Sequence, residues 1–297
     1  MQEKLILSVL PGEIPLSKLN LAGTHDSATA FVSLSKFARC QNKTIPEQLQ
    51  MGVRFLDIRL SEDRKGLRLV HAFADCYRGE NTKKRLYFDE VFSFCTSFLK
   101  ENPRETLVLS VKLDRGSREI EFAERFYKDF IKPNAALWYL ENRVPTLEEC
   151  RGKLVLFRRY IQSPDLPLPC GLDFSVWESQ KSRTETVPLP VVMAPGCTAL
   201  VQDRYRLAPD KKWNDCAKPF LDICKPTESR ICLHYLSTCG GKGVPAENAA
   251  QINEWFSSYS LKTDAPQGWI LLDFPTQALC DKIMQSNLTV YSEREMV

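Results

Sequence analysis

Short apolar segments recur along the chain, and segments with helical patterns lie between several of them. The apolar segments predict β-strands at residues 17–23, 53–60, 67–73, 105–113, 152–160, 198–205, 230–236 and 268–274. The intervening patterns predict helices at 44–51, 87–101, 117–131, 209–222, 246–258 and 275–286. Strands that alternate with helices in this way predict an α/β fold, a single and somewhat irregular TIM-type (β/α)8 barrel.

The length of the chain fits one such domain. Single barrels run to about 250 residues, so we expect residues 1–297 to form one catalytic barrel. The Pro-rich stretches at 163–169 and 186–195 are interpreted as loops inside it. A doubly wound open sheet is the alternative, but no GxGxxG motif follows any predicted strand.

The composition excludes several classes of protein. With 43% hydrophobic and 26% charged residues, the chain has a globular rather than a disordered composition. A net charge of +3 is too small to predict a nucleic-acid partner, although an anionic ligand or a membrane surface stays open. The longest apolar runs are far shorter than the roughly 20 residues of a membrane-spanning helix.

The N-terminus and the cysteines bear on location. The start lacks the basic and long apolar regions of a signal peptide, although a mature chain without its leader would read the same. The eleven cysteines are dispersed without a CxxC pair, which argues against a structural metal and favours reduced thiols. These features leave the location open and slightly favour a cytoplasmic over a secreted one. We also expect a monomer.

Charged and polar residues stand where the predicted strands end. In a TIM-type barrel the carboxyl ends of the strands form the active-site rim. Since buried charges cost several kcal/mol unless they are paired, a fold would not collect them for stability alone. The residues at these ends are His25, Asp26, Asp57, Arg59, His71, Lys112, Arg158, Arg159, Asp203, Tyr205 and Asp273.

Two imidazoles and a guanidinium at one rim indicate a particular chemistry. Each residue alone has a structural explanation, such as Asp273 capping the helix predicted at 275–286. Together, however, His25 and His71 could supply a general base and a general acid near neutral pH. The planar fork of Arg59 suits a phosphate. This set predicts in-line cleavage of a phosphodiester.

Six motifs of the chain resemble those of bacterial phosphatidylinositol-specific phospholipase C, the X-domain family. The resemblance runs from about residue 16 to about residue 285, and the first three motifs are the most specific in order and spacing. The motifs are GTHDS (23–27), RFLDIRL (54–60), LVHAF (69–73), SVK (110–112), VQDRY (201–205) and GWILLDF (268–274).

The resemblance implies a role for each catalytic residue. His25 would be the general base on the inositol 2-hydroxyl, with Asp273 as its carboxylate partner. His71 would be the general acid toward the diacylglycerol oxygen, paired with Asp26. The products would be diacylglycerol and a 1,2-cyclic inositol phosphate, so phosphatidylinositol or a related lipid is the implied substrate.

The resemblance also implies how the substrate is held. Arg59 would bind the phosphate, and Asp57 would support Arg59 or the attacking hydroxyl. The positions that match inositol-binding residues are Lys112, Arg159, Asp203 and Tyr205. Arg158 stays an alternative to Arg159, and we expect His234, which matches no family role, to be structural.

The spacing of Asp57 and Arg59 bears on metal dependence. Calcium-dependent eukaryotic relatives place Glu-x-Asp at these positions as ligands for the cation, as do glycerophosphodiester phosphodiesterases. A bound cation next to a fixed guanidinium would be disfavoured. We therefore predict metal-independent chemistry, with no metal site and no cofactor.

A lipid substrate implies transient contact with a membrane surface. Residues 31–37 are interpreted as a short amphipathic helix with Phe31, Leu34 and Phe37 on one face, although these residues could instead pack on the barrel. Two other functions stay open: a non-catalytic module that binds inositol phosphates or lipid headgroups, and a phosphodiesterase for a different phospholipid headgroup.

Overall fold

The computed structural model describes residues 5–181, 189–194 and 196–292. The strands in these ranges are β1 (Leu21–Thr24), β2 (Phe55–Glu62), β3 (Leu67–His71), β4 (Ala74–Asp75), β5 (Leu107–Arg115), β6 (Trp138–Tyr139), β7 (Leu154–Arg158), β8 (Leu172–Asp173), β9 (Leu189–Ala194), β10 (Cys197–Gln202), β11 (Arg230–Tyr235) and β12 (Trp269–Leu272).

The helices lie mainly between the strands. The α-helices are α1 (Ile6–Val9), α2 (Ser35–Ala38), α3 (Ile45–Gln50), α4 (Phe88–Glu101), α5 (Glu119–Phe126), α6 (Leu147–Cys150), α7 (Pro209–Lys211), α8 (Lys218–Ile223), α9 (Pro245–Ser258) and α10 (Gln277–Ser292). Short 3-10 segments at Leu16–Lys18 and Lys132–Leu137 and π-helical turns at Tyr127–Ile131 and Lys212–Ala217 complete the helical part. None of the described helices is both long and apolar enough to cross a bilayer.

One curled sheet organises the fold. Its strand order is β6-β7-β5-β2-β1-β12-β11-β10-β9, and all neighbours in this order are parallel except β9, which runs antiparallel to β10. Within the described ranges no ladder joins β9 back to β6 or β8, so the hydrogen-bonded sheet stays open on that side. The prediction of an irregular TIM-type α/β barrel is confirmed.

Large side chains fill the concave face of the sheet. The ring of Phe55 on β2 lies 5.5 Å from that of Phe157 on β7 and 5.7 Å from that of Trp269 on β12. These strands are not neighbours in the sheet, so their contact requires strong curvature. Strands such as β7 and β12 are buried on both faces, so their sequences are nearly continuous apolar runs, which is why sequence patterns located them.

The predicted third strand is present but does not run parallel to the sheet. β3 pairs antiparallel with the end of β2, with Leu60 opposite Leu69, and forms a hairpin rather than a barrel strand. β2 continues beyond the rim to Glu62, so β3 must run back toward the rim. His71, the last residue of β3, therefore lies at the rim.

Three other local predictions were wrong. The stretch 31–37 is not one helix, because only Ser35–Ala38 is helical and Leu34 before it is left-handed at φ 54°. The stretch 186–195 is not a simple loop, since residues 189–194 form β9; residues 186–188 and 195 lie outside the described residues. The first strand is also shorter than predicted, because a 3-10 turn precedes β1.

The helix predicted at 44–51 is confirmed together with its cap. The backbone N–H and the hydroxyl of Thr44 both donate to a carboxylate oxygen of Glu47 at 2.7 Å, which completes the capping box at the start of α3.

A fully buried ion pair lies near the amino ends of β2 and β5, away from the rim. Arg54 Nε donates to Glu105 Oε2 at 2.7 Å, and both side chains have no exposed surface. The other Glu105 oxygen accepts hydrogen bonds from the backbone and hydroxyl of Ser8. The pair therefore ties the N-terminal segment to two central strands.

Replacing Glu105 with alanine should destabilise the protein strongly. Because the substitution leaves the buried Arg54 charge without its carboxylate, we expect the free energy of unfolding to fall by about 3–5 kcal/mol. Urea unfolding followed by circular dichroism measures this change. The matched control is Lys218→Ala, which removes the exposed Lys218–Asp222 pair and should cost no more than about 0.5 kcal/mol. Equal losses in both variants would contradict the expectation.

Candidate active site

Three turns at the carboxyl ends of strands position the candidate catalytic residues. Each turn contains a non-glycine residue with a positive φ directly after a candidate residue. These residues are Asp26 after His25 (φ 44°), Ala72 after His71 (φ 48°) and Phe274 after Asp273 (φ 46°). Left-handed non-glycine residues cost free energy and cluster at functional sites.

His25 and Asp273 form the expected contact. His25 Nδ1 and Asp273 Oδ1 are 2.9 Å apart. β1 and β12 are parallel neighbours, with Thr24 opposite Leu272, so the two residues that follow these strands lie side by side. Gln41 supports this junction, because its Nε2 donates to the carbonyls of both His25 and Leu272.

His71 is held by a backbone carbonyl. Its Nδ1 lies 2.8 Å from the oxygen of Ala38, which assigns the proton on this nitrogen to that hydrogen bond. Its Nε2 lies 3.2 Å from Asp26 Oδ2. The ring centroids of His25 and His71 are 6.2 Å apart, with the rings nearly perpendicular. The two imidazoles therefore face one small space.

Asp26 contacts both histidines, which corrects one expectation. It does pair with His71, but its Oδ2 also lies 3.0 Å from His25 Nε2. The sequence interpretation divided the acids, one for each ring. The left-handed conformation of Asp26 turns its buried carboxylate between the rings instead.

Arg59 contacts the same carboxylate from another side. Its Nε lies 2.9 Å from Asp26 Oδ1, and its Nη2 lies 3.0 Å from Asp57 Oδ2. Asp57 therefore supports Arg59, one of the two roles considered for it, and also lies 3.5 Å from Arg159 Nη1. Asp114, which sequence reasoning missed, lies 4.0 Å from Arg59 Nη1.

Asp114 joins three parts of the site. It accepts hydrogen bonds from Lys112 Nζ at 2.7 Å and from the backbone N–H of Ala72 at 2.7 Å. The available sequence signal was its position two residues after Lys112, which places both side chains on the same face of β5.

The site opens into a cavity of about 290 Å³. His25, Arg59, His71 and Asp273 line it together with the four residues that match inositol-binding positions, Lys112, Arg159, Asp203 and Tyr205. Asp26 and Asp57 lie behind this wall and are buried.

Of the two neighbouring arginines, Arg159 is the one that faces the cavity. Arg159 lines the cavity, and its guanidinium lies 3.8 Å from the centre of the Trp177 ring and 3.3 Å from the Tyr235 hydroxyl. Arg158 is buried elsewhere and donates to the carbonyls of Cys170 and Tyr160. Trp177 and Tyr235 therefore position Arg159, and the sequence interpretation missed both.

His234 lies apart from the site. Its side chain is fully buried, its Nε2 lies 2.7 Å from the carbonyl oxygen of Gln267, and its ring packs 4.3 Å from that of Phe220. Burial lowers its pKa to about 4. The expectation of a structural histidine agrees with this placement.

A family model described as phosphatidylinositol-specific phospholipase C, X domain, matches residues 13–160. This chain belongs to that family.

Relatives of this X-domain chain span nearly its whole length. It is 23% identical to a 1-phosphatidylinositol phosphodiesterase of Listeria monocytogenes serovar 1/2a, over 95% of this chain and 84% of the relative. It is 26% identical to the protein of the same name from Staphylococcus aureus strain Newman, over 87% of this chain and 84% of the relative.

Solved structures of bacterial X-domain proteins share the fold. The S. aureus phosphatidylinositol-specific phospholipase C superposes with a TM-score of 0.78 at 24% identity, over 96% of this chain and 97% of that chain. The L. monocytogenes enzyme gives a TM-score of 0.76 at 23% identity, over 96% and 98% of the two chains.

Burial and charge shift the pKa values of the site in opposite directions. Burial alone would lower the pKa of His25, but the carboxylates of Asp26 and Asp273 outweigh it and raise this pKa well above its ordinary value. Burial would raise the pKa of Asp26, but Arg59 and the two imidazoles hold it far below its ordinary value. Asp273 differs, because burial raises its pKa despite the neighbouring His25.

Removing the Asp273 charge should lower the pKa of His25. In the X-domain protein with Asp273→Asn, burial still disfavours the imidazolium while one carboxylate that favours it is gone. Proton NMR titration with a chelator present can follow this shift, since the chain has only three histidines. His234 is the internal control, because its pKa of about 4 should be the same in both proteins. An unchanged His25 pKa would contradict the coupling.

Proposed function

We propose that this chain is a phosphatidylinositol-specific phospholipase C that uses two histidines and one arginine without a metal ion. It cleaves the phosphodiester of phosphatidylinositol to diacylglycerol and a 1,2-cyclic inositol phosphate. One observation carries the proposal: His25, His71 and Arg59 converge on the single buried carboxylate of Asp26. The names of the bacterial relatives and of the family support the same reaction.

His25 is the general base in this proposal. Its Nδ1 faces Asp273 Oδ1 at 2.9 Å, and the base acts in the tautomer that has its proton on Nδ1 and its lone pair on Nε2. Nε2 takes the proton of the inositol 2-hydroxyl as that oxygen attacks phosphorus. The Asp273 carboxylate then stabilises the imidazolium that forms.

His71 is the general acid. Its Nδ1–H donates to the Ala38 carbonyl, which orients the ring with Nε2 toward the site. Protonated Nε2 gives its proton to the glycerol oxygen as the phosphorus–oxygen bond to diacylglycerol breaks. Asp26 stabilises the protonated form before transfer, since its Oδ2 lies 3.2 Å from Nε2.

Arg59 stabilises charge on the phosphate. Asp26 and Asp57 hold its guanidinium at 2.9 and 3.0 Å, so the group needs little reorganisation when substrate binds. Burial would lower the pKa of Arg59, but Asp26 and Asp57 raise it well above its ordinary value, which keeps the positive charge permanent. Preorganised charges of this kind stabilise the transition state more than the ground state.

Four polar residues around the cavity recognise the inositol ring. Lys112 and Arg159 can donate to ring hydroxyls, and Asp203 can accept from them. Tyr205 offers an aromatic face, and its hydroxyl lies 3.0 Å from Ser179 Oγ.

The pairing of both histidines with carboxylates favours an enzyme over a module that only binds headgroups, since a binder has no need for these pairs.

The reaction can be tested by phosphorus NMR of phosphatidylinositol vesicles incubated with the protein and a chelator. We expect a cyclic phosphate signal without added metal, because Arg59 occupies the place of a cationic cofactor. Turnover only with calcium would contradict the metal-independent reaction. No turnover, together with retained headgroup binding, would favour the non-catalytic alternative.

The same assay separates the roles of the catalytic residues. Arg59→Lys keeps the charge but loses the two-pronged contact, so turnover should fall by orders of magnitude while the circular dichroism spectrum is kept. His25→Ala and His71→Ala should each lower turnover by about 100- to 10,000-fold. Wild-type turnover in Arg59→Lys would remove Arg59 from the phosphate site.

Exposed aromatic residues next to the cavity support contact with a membrane surface. Phe37, in the cavity lining, is 57% exposed, and Phe73, two residues after His71, is 73% exposed. Leu34 is exposed as well, whereas Phe31 is half-buried. The proposed surface therefore consists of Leu34, Phe37 and Phe73, and Phe31 no longer belongs to it.

The double variant Phe37→Ser/Phe73→Ser should bind phosphatidylinositol vesicles at least about tenfold more weakly, because burying one phenylalanine is worth about 1.5–3 kcal/mol. Vesicle sedimentation measures this binding. Ile223→Ser is the matched control: Ile223 is 65% exposed but ends the helix that leads to the amino end of β11, opposite the rim. Unchanged binding by the double variant would exclude this surface.

A further inference from the structure

Cys40 is a buried thiol in the wall of the catalytic cavity that the proposed reaction does not use. Its side chain lines the cavity, and its Sγ lies 3.9 Å from His71 Nδ1. Its backbone joins two site turns, because its N–H donates to the Thr29 hydroxyl at 3.0 Å and its carbonyl accepts from the Phe274 N–H at 2.9 Å. The sulfur is therefore fixed in place rather than carried on a mobile loop.

Three groups of potential metal ligands overlap at this point. One ligand atom from each residue lies within 4.8 Å of the others in the groups His25–Cys40–Asp273, Asp26–Cys40–His71 and His25–Asp26–Asp57. Arg59 contacts Asp26 at 2.9 Å and Asp57 at 3.0 Å, so its guanidinium opposes a cation in the second and third groups. The group His25–Cys40–Asp273 contains neither of these carboxylates.

We propose that His25, Cys40 and Asp273 form a binding site for one thiophilic divalent ion, best matched by Zn²⁺, and that the ion inhibits the enzyme. Imidazole, thiolate and carboxylate are the three ligand types that Zn²⁺ takes in proteins. Hard ions such as Ca²⁺ and Mg²⁺ prefer oxygen ligands and are disfavoured by the sulfur.

For His25 and Asp273 the geometry needs only a small adjustment, and the Cys40 sulfur lies within 4.8 Å of a ligand atom of each. Zinc bonds of about 2.0–2.1 Å to nitrogen and oxygen in a tetrahedron separate the two atoms by about 3.3 Å. His25 Nδ1 and Asp273 Oδ1 are now 2.9 Å apart, so they must part by a few tenths of an ångström. The thiol proton and the Nδ1 proton leave to solvent on binding. All three residues line the cavity, so water can supply a fourth ligand.

Inhibition follows from the atoms involved, and this part of the inference rests on the proposed function. The ion replaces the proton between His25 and Asp273 and adds a positive charge to the ring, so Asp273 can no longer stabilise an imidazolium and His25 can no longer take up the proton of the 2-hydroxyl. Metal binding itself does not depend on the reaction. A binding measurement therefore tests the site even if the protein does not cleave phosphatidylinositol.

The test compares the purified full chain with Cys40→Ser and Cys239→Ser. Cys239 is an exposed cysteine that lines the same cavity and lies outside the three ligand groups, so it is the matched control. Zn²⁺ affinity is measured by competition with a chromophoric chelator, and Co²⁺ reports thiolate ligation through its charge-transfer absorption. Circular dichroism verifies the fold of each variant.

We expect about one Zn²⁺ per wild-type chain and a thiolate-to-Co²⁺ absorption band. Cys40→Ser should lose this band and bind Zn²⁺ at least about tenfold more weakly, since serine is a poor zinc ligand. The Zn²⁺ concentration that halves the turnover rate of this variant, measured against its own rate without Zn²⁺, should rise by a similar factor. Cys239→Ser should match the wild type in all three measurements, and a chelator should restore activity.

Two results would overturn the proposal. One is a thiolate-to-Co²⁺ band that persists in Cys40→Ser, which would place the ion at another cysteine. The other is equal Zn²⁺ affinity in the wild type and Cys40→Ser. If no phosphatidylinositol turnover is found, the affinity and Co²⁺ measurements still decide for or against the metal site, so the two failures are distinguishable.

Discussion

The buried carboxylate of Asp26 is the interaction on which the active site depends. It contacts His25, His71 and Arg59 within 3.2 Å, and its side chain is almost fully enclosed. An unpaired charge at this depth would cost several kcal/mol, so the ionised carboxylate requires its cationic neighbours. The same contacts hold the base, the acid and the phosphate-binding group at fixed distances from one another. The contacts that compensate the buried charge of Asp26 are therefore the same contacts that preorganise the catalytic groups.

This arrangement requires three residues in backbone conformations that cost free energy. Asp26, Ala72 and Phe274 adopt left-handed conformations at the three turns that present His25, His71 and Asp273. Such residues cost about 1–3 kcal/mol each and persist only where their surroundings enforce them. Here the surroundings are hydrogen bonds between turns, such as that from the Ala72 N–H to Asp114 and that from the Phe274 N–H to Cys40. The barrel strands supply the rigid support, and the turns aim the side chains.

Sequence patterns could predict the parts of this protein that depend on local chemistry. Strands buried on both faces are continuous apolar runs, and the charged residues that end them marked the rim, so His25, Arg59 and Asp273 were found. The direction of β3 could not be read, because it depends on how far β2 extends beyond the rim. The contact of Asp26 with both histidines depends on its left-handed backbone conformation, which the local sequence does not indicate. Cys40 and Asp114 were missed because their contacts lie across the chain. The single-domain organisation, the monomeric state and the cytoplasmic location stay predictions.

The charge balance of the cavity connects catalysis with metal binding. Five carboxyl groups and three basic side chains surround the site. The carboxyl groups belong to Asp26, Asp57, Asp114, Asp203 and Asp273, and the basic side chains belong to Arg59, Lys112 and Arg159. Carboxylates are in excess, so the site favours one further positive charge. The raised pKa of His25, caused by the carboxylates of Asp26 and Asp273, is one consequence of this excess. A divalent ion bound by His25, Cys40 and Asp273 would also compensate this excess of negative charge. The charge distribution that makes His25 a strong base thus also makes the site attractive to a thiophilic cation, with the thiol of Cys40 as the ligand that selects among cations.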